Sequence, residues 1–403
     1  MRLGVRVTHI LRLAVEGLAG RTDSVSFELN RDVNVFWGLN GSGKTSLLKI
    51  LHSALQSNAE PIARLPFTKA QVDIYSAKYD SIIRRTINRD PKTEEEISDP
   101  EDETLLTDEL WTVVESAELA AMRNDQERPF RWRTIVLTGT AILPLGRFQH
   151  GYLPISRVAE SRGMPINRPS PHGEAMGDAM FDAMFARQVT RRSQLYTSGA
   201  SAQIREIQQQ GLAEILLVLF GGAQKTRQRT EHDIDAGPAF RLVTSFLRQQ
   251  GIRVNFDIES FTSRYGKQKE LRDIVDKIQE VMADIDSALE PQRDFEKLIG
   301  ELFSGNKTVA FEPRGLRVMV NDEKIPLESL SSGEKQLMQI LLEVMAGGVN
   351  AVIIDEPELS MHVDWQNRLV ASMRTVNPES QLVLATHSPE VMANLDEKYI
   401  FQL

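Results

Sequence analysis

The chain has 403 residues, a formal net charge of −9, 41% hydrophobic residues and 26% charged residues. This composition is typical of a soluble globular protein. The negative charge gives no overall attraction to nucleic acid, so any such contact requires a local basic patch. Cysteine is absent, which excludes disulfides, thiolate metal sites and cysteine nucleophiles and suits a reducing cytoplasm. The apolar runs are too short or too charged for a signal peptide or a membrane span.

Alternating apolar residues predict β-strands through the first part of the chain. The strands are predicted at residues 4–18, 24–29, 32–37, 72–76, 81–87, 111–114, 131–137 and 151–158. A helix is predicted from residue 46 to about residue 57. The run at 90–107 is rich in Asp, Glu and Pro, and we expect it to form a solvated loop.

Helical periodicity replaces this strand pattern after a Pro- and Gly-rich loop at 163–173. Helices are predicted at residues 174–195, 203–220, 239–250, 267–289 and 292–302. Pro291 is expected to end one helix before the next begins. Short strands at residues 307–311, 316–321 and 324–327 are then expected to return to the sheet.

Residues 38–45 read Gly-Leu-Asn-Gly-Ser-Gly-Lys-Thr and fit the phosphate-binding loop pattern at every fixed position. Glycines let the backbone fold around a phosphate, and the following helix N-terminus adds partial positive charge. Lys44 would reach the β- and γ-phosphates, and the Thr45 hydroxyl would ligate Mg²⁺. The predicted nucleotide-binding residues of this loop are Gly38, Asn40, Gly41, Ser42, Gly43, Lys44, Thr45 and Ser46.

A second motif, Leu-Ser-Ser-Gly-Glu-Lys-Gln at 330–336, lies at the start of a predicted helix. A Ser-Gly pair at a helix N-terminus is suited to binding an anion. The same residues also fit a capping box, in which Ser331 and Glu334 satisfy free backbone amides without any ligand. Both interpretations stay open, and Ser331, Ser332, Gly333 and Glu334 are predicted to contact nucleotide.

A third motif ends a run of apolar residues at 351–354, which suits a central parallel strand buried on both faces. Asp355 and Glu356 follow it, at the edge of an α/β sheet where ligands bind. Asp355 is predicted to hold Mg²⁺, and Glu356 to orient or deprotonate the attacking water. The alternative is a polar turn without catalytic function.

A fourth motif, Ala-Thr-His-Ser-Pro at 385–389, ends another predicted strand. The imidazole of His387 could hydrogen-bond the γ-phosphate or the water. A single histidine at a strand end is usually structural, but the order of the four motifs favours a catalytic role. The predicted catalytic residues are therefore Glu356 and His387.

In this order the four motifs resemble the Walker A, signature, Walker B and switch-histidine motifs of ABC-type ATPases. More narrowly, they are similar to the SMC/RecF/OLD branch. The resemblance covers about residues 1–160 and 305–403. It implies an α/β fold, in which an ABC-type P-loop ATPase head, with a mixed sheet and an antiparallel β lobe, carries a mainly helical insertion. The implied domains are an N-terminal lobe at 1–165, the insertion at 166–305 and a C-terminal lobe at 306–403.

The resemblance also implies that the chain binds ATP and Mg²⁺ and hydrolyses ATP. A head-to-tail homodimer is expected, in which Ser332 and Gly333 of one subunit meet the γ-phosphate held by Lys44 of the other. Higher oligomers are compatible with this arrangement. ATP-driven closure would then reposition the insertion.

Stand-alone bacterial members of this branch resemble the ATPase subunits of anti-phage systems of the Septu, PARIS or retron-associated type. We therefore expect a cytoplasmic ATPase switch for a separate effector, a nuclease or toxin. The alternative is a RecF-like clamp that grips DNA in its ATP-bound state. A transporter subunit is disfavoured by the large insertion and by the form of the signature motif.

Some positions depart from the family pattern. The usual glutamine that contacts Mg²⁺ and water has no clear equivalent, since Gln149 lies slightly early and Ser156 or Arg157 would have to replace it. His362 lies where the family has a dimer-contact loop, although a surface role is equally compatible. The chain ends soon after the last predicted strand, which leaves no space for the nuclease domain of OLD proteins.

The insertion carries a local excess of positive charge. Between residues 184 and 230 there are seven arginines and lysines and two acids, a balance of 7 − 2 = +5. This stretch could contact DNA phosphates or an acidic partner, or it could be a solvated helix face. Met176, Met180 and Met184 recur at helical spacing, which is typical of core packing but also of adaptable partner-binding surfaces.

Overall fold

The computed structural model describes residues 7–89, 130–154, 173–220, 234–249, 251–253, 255–303, 307–348 and 350–403. Several predictions lie outside these residues: the strand at 111–114, the acidic run at 90–107, and Ser156 and Arg157. Contacts divide the chain into two compact units. The first comprises Met1–Ala186 with Pro326–Leu403, and the second is Arg187–Ile325.

The strands of the described residues are numbered in chain order. They are β1 (His9–Glu16), β2 (Ser24–Glu28), β3 (Val33–Trp37), β4 (Lys69–Ser76), β5 (Ser81–Asn88), β6 (Arg133–Thr138), β7 (His150–Leu153), β8 (Lys307–Glu312), β9 (Gly315–Val320), β10 (Glu323–Ile325), β11 (Ala351–Asp355), β12 (Leu382–Thr386) and β13 (Ile400–Gln402).

The α-helices of the described residues are numbered in the same way. They are α1 (Lys44–Gln56), α2 (Gly173–Leu219), α3 (Ala236–Gln249), α4 (Ile258–Tyr265), α5 (Lys269–Leu302), α6 (Ser332–Ala346), α7 (Val363–Val376) and α8 (Pro389–Met392). No helix in these ranges is both long and apolar enough to cross a membrane.

The sheet that carries the predicted motifs is parallel and five-stranded, in the order β13-β3-β12-β11-β7. Strands β11 and β12 are buried at every position, as their continuous apolar sequences predict. Because β3, β11 and β12 run in the same direction, the segments that follow them meet at one edge. The phosphate loop, the acidic pair and the histidine are thus brought to the same edge by topology alone.

A second five-stranded sheet is antiparallel, in the order β2-β1-β4-β5-β6. Its core joins the apolar face of α1, which includes Leu47, Leu48 and Leu51. Trp132 reinforces this contact, since its indole nitrogen donates to the Ser53 hydroxyl of α1 at 2.8 Å. The antiparallel lobe therefore packs directly on the helix that follows the phosphate loop.

Arg85 of β5 ties the same lobe to the other end of α1. Its guanidinium is fully buried and donates to the carbonyls of Ala54 and Leu55, and to those of Leu145 and Gly146. The first two are among the carbonyls that a helix C-terminus leaves without partners. Burial lowers the pKa of Arg85 to about 10, so it still carries its charge at neutral pH. Arg85 is thus a cationic cap at the negative end of the α1 dipole.

Gln381 joins the two sheets through hydrogen bonds to the backbone. Its amide oxygen accepts from the Ile10 nitrogen, and its amide nitrogen donates to the Ile10 and Asn30 carbonyls, each at 2.8 Å. Gln381 is fully buried, directly before β12. The Gln381 side chain therefore links β1 of the antiparallel sheet to the parallel sheet through hydrogen bonds.

The second unit has a helical core formed by α2, α3, α4 and α5. Its buried residues are almost entirely apolar, with Ile215, Val243, Phe246, Phe261 and Ile278 among them. Helix α2 lies very close to α5, because a Cβ added at Gly211 would lie 2.2 Å from Val281 Cγ2. A glycine is required there by the close approach of the two helices rather than by backbone conformation.

Two predictions about the helices are corrected. Residues 174–195 and 203–220 belong to one uninterrupted helix, α2, because the intervening Thr197 and Ser198 stay within the helix. Thr197 donates its hydroxyl to carbonyls one turn earlier and so does not interrupt it. Likewise Pro291 does not end a helix but lies inside α5. Proline removes one intrahelical hydrogen bond, and packing of Phe295 and Ile299 on the same helix offsets this cost.

The strands at 307–325 do not return to the main sheet, which corrects a third prediction. They form a separate three-stranded antiparallel sheet, β10-β9-β8, within the second unit. Asn321 and Asp322 both have positive φ, as a tight hairpin turn requires. Consecutive hairpins satisfy each other's backbone groups locally, and Phe311 packs against Phe295 of α5. Strand pattern alone does not reveal which sheet a strand joins.

The predicted fold class is confirmed. The first unit is an α/β head that combines a parallel sheet with an antiparallel lobe. The helical region between β7 and β8 forms the insertion.

Candidate nucleotide-binding site

The phosphate loop connects β3 to α1. Gly41 and Gly43 have φ values of 82° and 99°, which only glycine adopts without strain. A side chain at Gly38 would also collide, since an added Cβ would lie 2.9 Å from the Leu403 carbonyl oxygen. Asn40 and Gly41 are exposed at the loop tip. The loop therefore offers bare backbone N–H groups at the N-terminus of α1, the arrangement that binds phosphate.

Lys44 and Ser42 are both buried within this loop. The Lys44 ammonium donates to the carbonyls of Gly38 and Leu39, at 2.8 and 3.2 Å. The Ser42 hydroxyl has no hydrogen-bond partner among the described residues. Buried polar groups without partners are rare and costly, so an unpaired hydroxyl in a phosphate loop fits a site made for a polar ligand.

Asp355 lies at the end of β11, beside Thr45 of α1. Its side chain is fully buried, and neither carboxylate oxygen accepts a hydrogen bond of normal geometry within the described part of the chain. Burial raises the pKa of Asp355 to about 6, against the opposing effects of the nearby Thr45 hydroxyl and the charges of Lys44 and Lys49. Two unpaired carboxylate oxygens next to a hydroxyl are the donor set that Mg²⁺ prefers. The residues present therefore fit a magnesium–nucleotide site.

Glu356 and His387 lie next to each other at the same edge of the sheet. The imidazole Nδ1 of His387 contacts the Glu356 carboxylate. Burial raises the pKa of Glu356 to about 7, and the charge of Glu358 adds to this effect while His387 opposes it. Glu356 also has a φ of 47°, which is strained for a side-chain-bearing residue and is typical of functional sites. A carboxylate with a pKa near neutrality is suited to accept a proton from water.

The start of α6 contains the second motif, and a capping box accounts for two of its residues. Ser331 Oγ accepts from the Glu334 nitrogen at 3.3 Å, and Glu334 Oε2 accepts from the Ser331 nitrogen at 2.9 Å. Ser332 is exposed at the first helical position. The capping interpretation thus describes Ser331 and Glu334, and nucleotide contact by Ser332 and Gly333 stays a prediction.

The signature helix α6 packs on the turn that follows β11. Gln336 donates to the Pro357 carbonyl at 2.8 Å. A Cβ at Gly333 would lie 2.6 Å from the Ser360 carbonyl oxygen, so this position also requires glycine for close approach. Ser360 has a φ of 61°. Gly333 and Gln336 of the motif therefore contact residues 357–360, the turn that follows β11, in their own chain.

The described structure thus brings Lys44, Thr45, Asp355, Glu356 and His387 to one edge of the parallel sheet. The remaining loop residues Gly38, Asn40, Gly41, Ser42, Gly43 and Ser46 accompany them. Ser331, Ser332, Gly333 and Glu334 lie instead at the start of α6, beside the turn.

Sequence reasoning missed three polar contacts of this unit. Glu358 is buried and bonds the segment that contains His387. Lys335, the lysine of the signature motif, forms an ion pair with Asp182 of α2 at 2.5 Å. His52 of α1 and His150 of β7 share a hydrogen bond of 2.8 Å. The only sequence signal for Glu358 was its place in an acidic turn after a buried strand, and the other pairs have no local signature.

Two other predicted positions have ordinary local roles. His362 is exposed and is the N-cap of α7, where its Nδ1 accepts from the Asp364 nitrogen at 3.4 Å. Gln149 is exposed immediately before β7. Neither placement identifies the residue that replaces the family's glutamine.

Residues 234–393 match a family model described as "AAA domain, putative AbiEii toxin, Type IV TA system". The match spans part of the insertion and the last three motifs. This part of the chain is similar to an AAA domain. Its predicted resemblance to ABC-type ATPases of the SMC/RecF/OLD branch is confirmed.

Two curated relatives agree with this. A 98-residue stretch is 31% identical to "Retron Vc95 probable ATPase" of Vibrio cholerae serotype O1 biovar El Tor, covering 21% of this chain and 19% of that protein. A 104-residue stretch is 26% identical to "Retron Ec83 probable ATPase" of Escherichia coli, covering 23% and 19%. The chain thus spans about a fifth of the length of the curated relatives it matches.

Solved structures with a similar outline are SMC heads. One is the Smc head domain with an extended coiled coil bound to the C-terminal domain of ScpA from Pyrococcus furiosus, with a TM-score of 0.42, 14% identity and coverage of 96% of this chain and 92% of that chain. Another is the SMC head domain from Thermotoga maritima, with a TM-score of 0.38, 10% identity and coverage of 95% and 91%. Because these TM-scores and identities are low, we assign the fold from strand order and motif placement.

Proposed function

We propose that the chain binds ATP with Mg²⁺ and hydrolyses the γ-phosphate bond. The single observation that carries this proposal is the set of buried polar groups without partners at one sheet edge, both oxygens of Asp355 and the hydroxyl of Ser42. Leaving such groups unpaired costs free energy, which a ligand would recover. The phosphate loop beside them specifies a polyphosphate.

Each residue of this edge has a proposed task. The loop amides and Lys44 hold the β- and γ-phosphates, and Thr45 and Asp355 hold Mg²⁺. Bound Mg²⁺ would neutralise charge on the phosphates. Glu356 orients a water molecule and accepts its proton, since its raised pKa suits that transfer. His387 holds Glu356 in place and can donate to the γ-phosphate or the water.

We further propose that two copies of the chain close around ATP. Within its own chain, the start of α6 packs on the turn after β11. Ser332 and the Gly333 amide of one copy would instead complete the phosphate site of the other copy. Ser332 is exposed there and thus accessible to a partner. A helix N-terminus supplied across an interface would stabilise the γ-phosphate electrostatically.

A mixing experiment tests this arrangement. Lys44→Ala disables the phosphate loop and Ser332→Arg blocks the signature, so each variant alone should release almost no phosphate from ATP. Mixed dimers contain one loop and one signature that are both intact, so mixing should restore turnover if the two act across subunits. If the mixture stays as inactive as its components, composite sites are excluded. Ser329→Arg is the matched control for the added charge.

The biological role that we propose is a switch for a separate effector, a nuclease or toxin, in anti-phage defence in the bacterial cytoplasm. The retron ATPase relatives and the toxin-related family description support it. A pull-down of tagged Glu356→Gln with ATP, read by mass spectrometry, is the direct test. This variant should keep ATP bound while hydrolysis stops, and recovery of no partner from the native host would contradict the switch.

A second candidate function is a DNA-binding clamp, and one face of α3 favours it. Arg241 and Arg248 lie on this face with Thr244, Ser245 and Gln249, along a surface groove of about 460 Å³. No acidic residue occurs between residues 236 and 256. Two arginines two helical turns apart, with hydroxyl and amide donors between them, could contact successive phosphates.

Anisotropy of labelled duplex DNA tests the clamp. Binding that requires ATP, weakens with salt and is lost in Arg241→Glu/Arg248→Glu would support it. Arg264→Glu, on the neighbouring helix α4, is the charge-matched control for Arg241→Glu alone. An affinity for DNA that is negligible at low salt would exclude this function.

A further inference from the structure

Glu358 is the last acid of the Asp-Glu-Pro-Glu turn. Its side chain is only 5% exposed. Its Oε1 accepts three hydrogen bonds from consecutive residues: the Thr386 hydroxyl at 2.5 Å, the His387 nitrogen at 3.1 Å and the Ser388 nitrogen at 3.2 Å. One carboxylate oxygen therefore holds the backbone on both sides of His387.

These bonds restrict where the imidazole can lie. Hydrogen bonds to a charged acceptor are about twice as strong as neutral ones. The Thr386 hydroxyl also accepts from the Ser388 nitrogen at 3.0 Å, which closes the turn around the same oxygen. The segment from 386 to 388 is thus anchored by its backbone, while the His387 side chain remains half-exposed toward the site.

A purely structural role for the Glu358 carboxylate would account for the three hydrogen bonds that Oε1 accepts. It does not account for the position of the second oxygen, Oε2. Glu358 Oε2 is buried with no hydrogen-bond partner in the described part of the molecule. One oxygen each of Glu356 and Glu358 and a ring nitrogen of His387 lie within 4.8 Å of one another. Keeping a second buried acid beside Glu356 is costly, and a neutral residue would cap the turn at lower cost.

We propose that Glu358 is a positioning residue for hydrolysis, which holds His387 against Glu356 through the backbone of residues 386–388 and through its own contact with the imidazole, where Oε1 lies 3.6 Å from His387 Nδ1. The inference rests on the proposed catalytic roles of Glu356 and His387. Substitution of a residue that holds a functional side chain in position typically lowers activity by about 10- to 100-fold. The effect is expected in kcat, because Glu358 has no described contact with the phosphate loop, and ATP affinity should stay within about twofold.

Kinetics of Glu358→Ala and Glu358→Gln provide the first test. Phosphate release gives kcat and KM, and a fluorescent ATP analogue gives affinity. Glu358→Ala should lose about tenfold or more in kcat, and Glu358→Gln should recover much of it because the amide oxygen can still accept from the loop. Glu390→Ala is the matched control, since Glu390 bonds the same segment only through the Ser388 hydroxyl at 2.9 Å. An unchanged kcat in Glu358→Ala, or a loss in affinity instead, overturns the proposal.

A double mutant separates positioning from folding. If Glu358 acts through His387, adding Glu358→Ala to His387→Ala should lower single-turnover hydrolysis no further. If Glu358→Ala lowers the rate of hydrolysis by the same factor in the wild-type and His387→Ala backgrounds, the proposal is contradicted. Should Glu358→Ala fail to fold, Thr386→Val removes one of the three bonds and is subject to the same comparison. Wild-type turnover in Glu356→Gln and His387→Ala would instead refute the proposed catalytic roles, independently of Glu358.

Discussion

The two units of the chain differ in the number of polar side chains that they bury. In the described residues of the first unit, many polar side chains are buried, and several at the sheet edge lack partners. Among the described residues of the second unit, Ser193 is the one residue of the buried polar set. Both units expose large apolar side chains, and those of the second unit are Leu195, Leu212, Leu216, Leu217, Leu219, Phe220, Ile252, Phe256 and Ile258.

Both patterns are costly and therefore informative. Buried polar groups without partners indicate a ligand, and exposed apolar groups at helical spacing indicate a protein surface. Leu212, Leu216 and Leu219 follow one stripe of α2, beside the inward-facing Ile215. We therefore expect chemistry at the sheet edge of the first unit, and we propose the α2 stripe as a surface for contact with other proteins.

The largest expected effect is at the phosphate loop. Replacing Lys44 with Ala removes the ammonium that we propose to hold the phosphates, and turnover should fall by about a hundredfold or more. The fold should persist, because Lys44 bonds only loop carbonyls. Phosphate release and thermal melting measure the two effects, with Lys78→Ala in the β4–β5 turn as control. Equal turnover in Lys44→Ala and Lys78→Ala would contradict the placement of ATP hydrolysis at this edge of the sheet.

Arg85 tests whether the first unit also uses buried charge for stability. Arg85→Met removes the buried guanidinium donor from the carbonyls of Ala54, Leu55 and Gly146, although Ala54 and Leu55 each keep one backbone N–H donor. The free energy of unfolding should fall by about 3 kcal/mol. Urea denaturation measures this. Arg133→Met, on the exposed face of β6, should change it by about 0.5 kcal/mol or less. Similar values for the two would mean that the helix cap contributes little.

A pH dependence is expected at the His52–His150 pair. Burial lowers the pKa of His150 in the folded state, so the unfolded chain binds more protons below about pH 6.5. The resulting contribution to stability is present above that pH and is lost as pH falls below it. His150→Gln should therefore show a shallower loss of unfolding free energy between about pH 7.5 and 5.5. The exposed His362→Gln should keep the wild-type slope, and equal slopes in all three proteins would contradict the assignment.

The smallest expected effect on the isolated protein is at the apolar stripe of α2. Leu216→Ser should change stability by about 0.5 kcal/mol or less and leave ATP turnover unchanged. It should reduce recovery of a partner in the pull-down described above. Ile215→Ser, one residue away but facing the core, should instead cost about 3 kcal/mol. Full partner recovery with Leu216→Ser would exclude this stripe as the contact surface.

The parts of the fold that depend on local pattern could be predicted from the sequence. Strands β3, β11 and β12 read as buried runs, and their polar ends specified where Lys44, Asp355 and His387 would meet. Elements that depend on distant partners could not be predicted. The strands at 307–325 could pair in either place, and Pro291 is tolerated only because α5 is held by packing.

The same distinction applies to the site. Motif residues were found because phosphate and Mg²⁺ demand particular side chains at fixed spacing. Glu358 acts on backbone groups almost thirty residues away, and Arg85 on carbonyls of another element. Backbone acceptors and donors have no residue identity, so the sequence does not reveal which distant backbone groups such side chains contact.

The amide of Gln381 shows how narrow such a requirement can be. It both donates and accepts between Ile10 and Asn30, so its fit depends on polarity rather than on size. Exchange of its nitrogen for oxygen, as in deamidation, would set a negative group against two carbonyls. Chemical ageing at this single atom would then be expected to loosen the seam between the two sheets, even though the side chain keeps its shape.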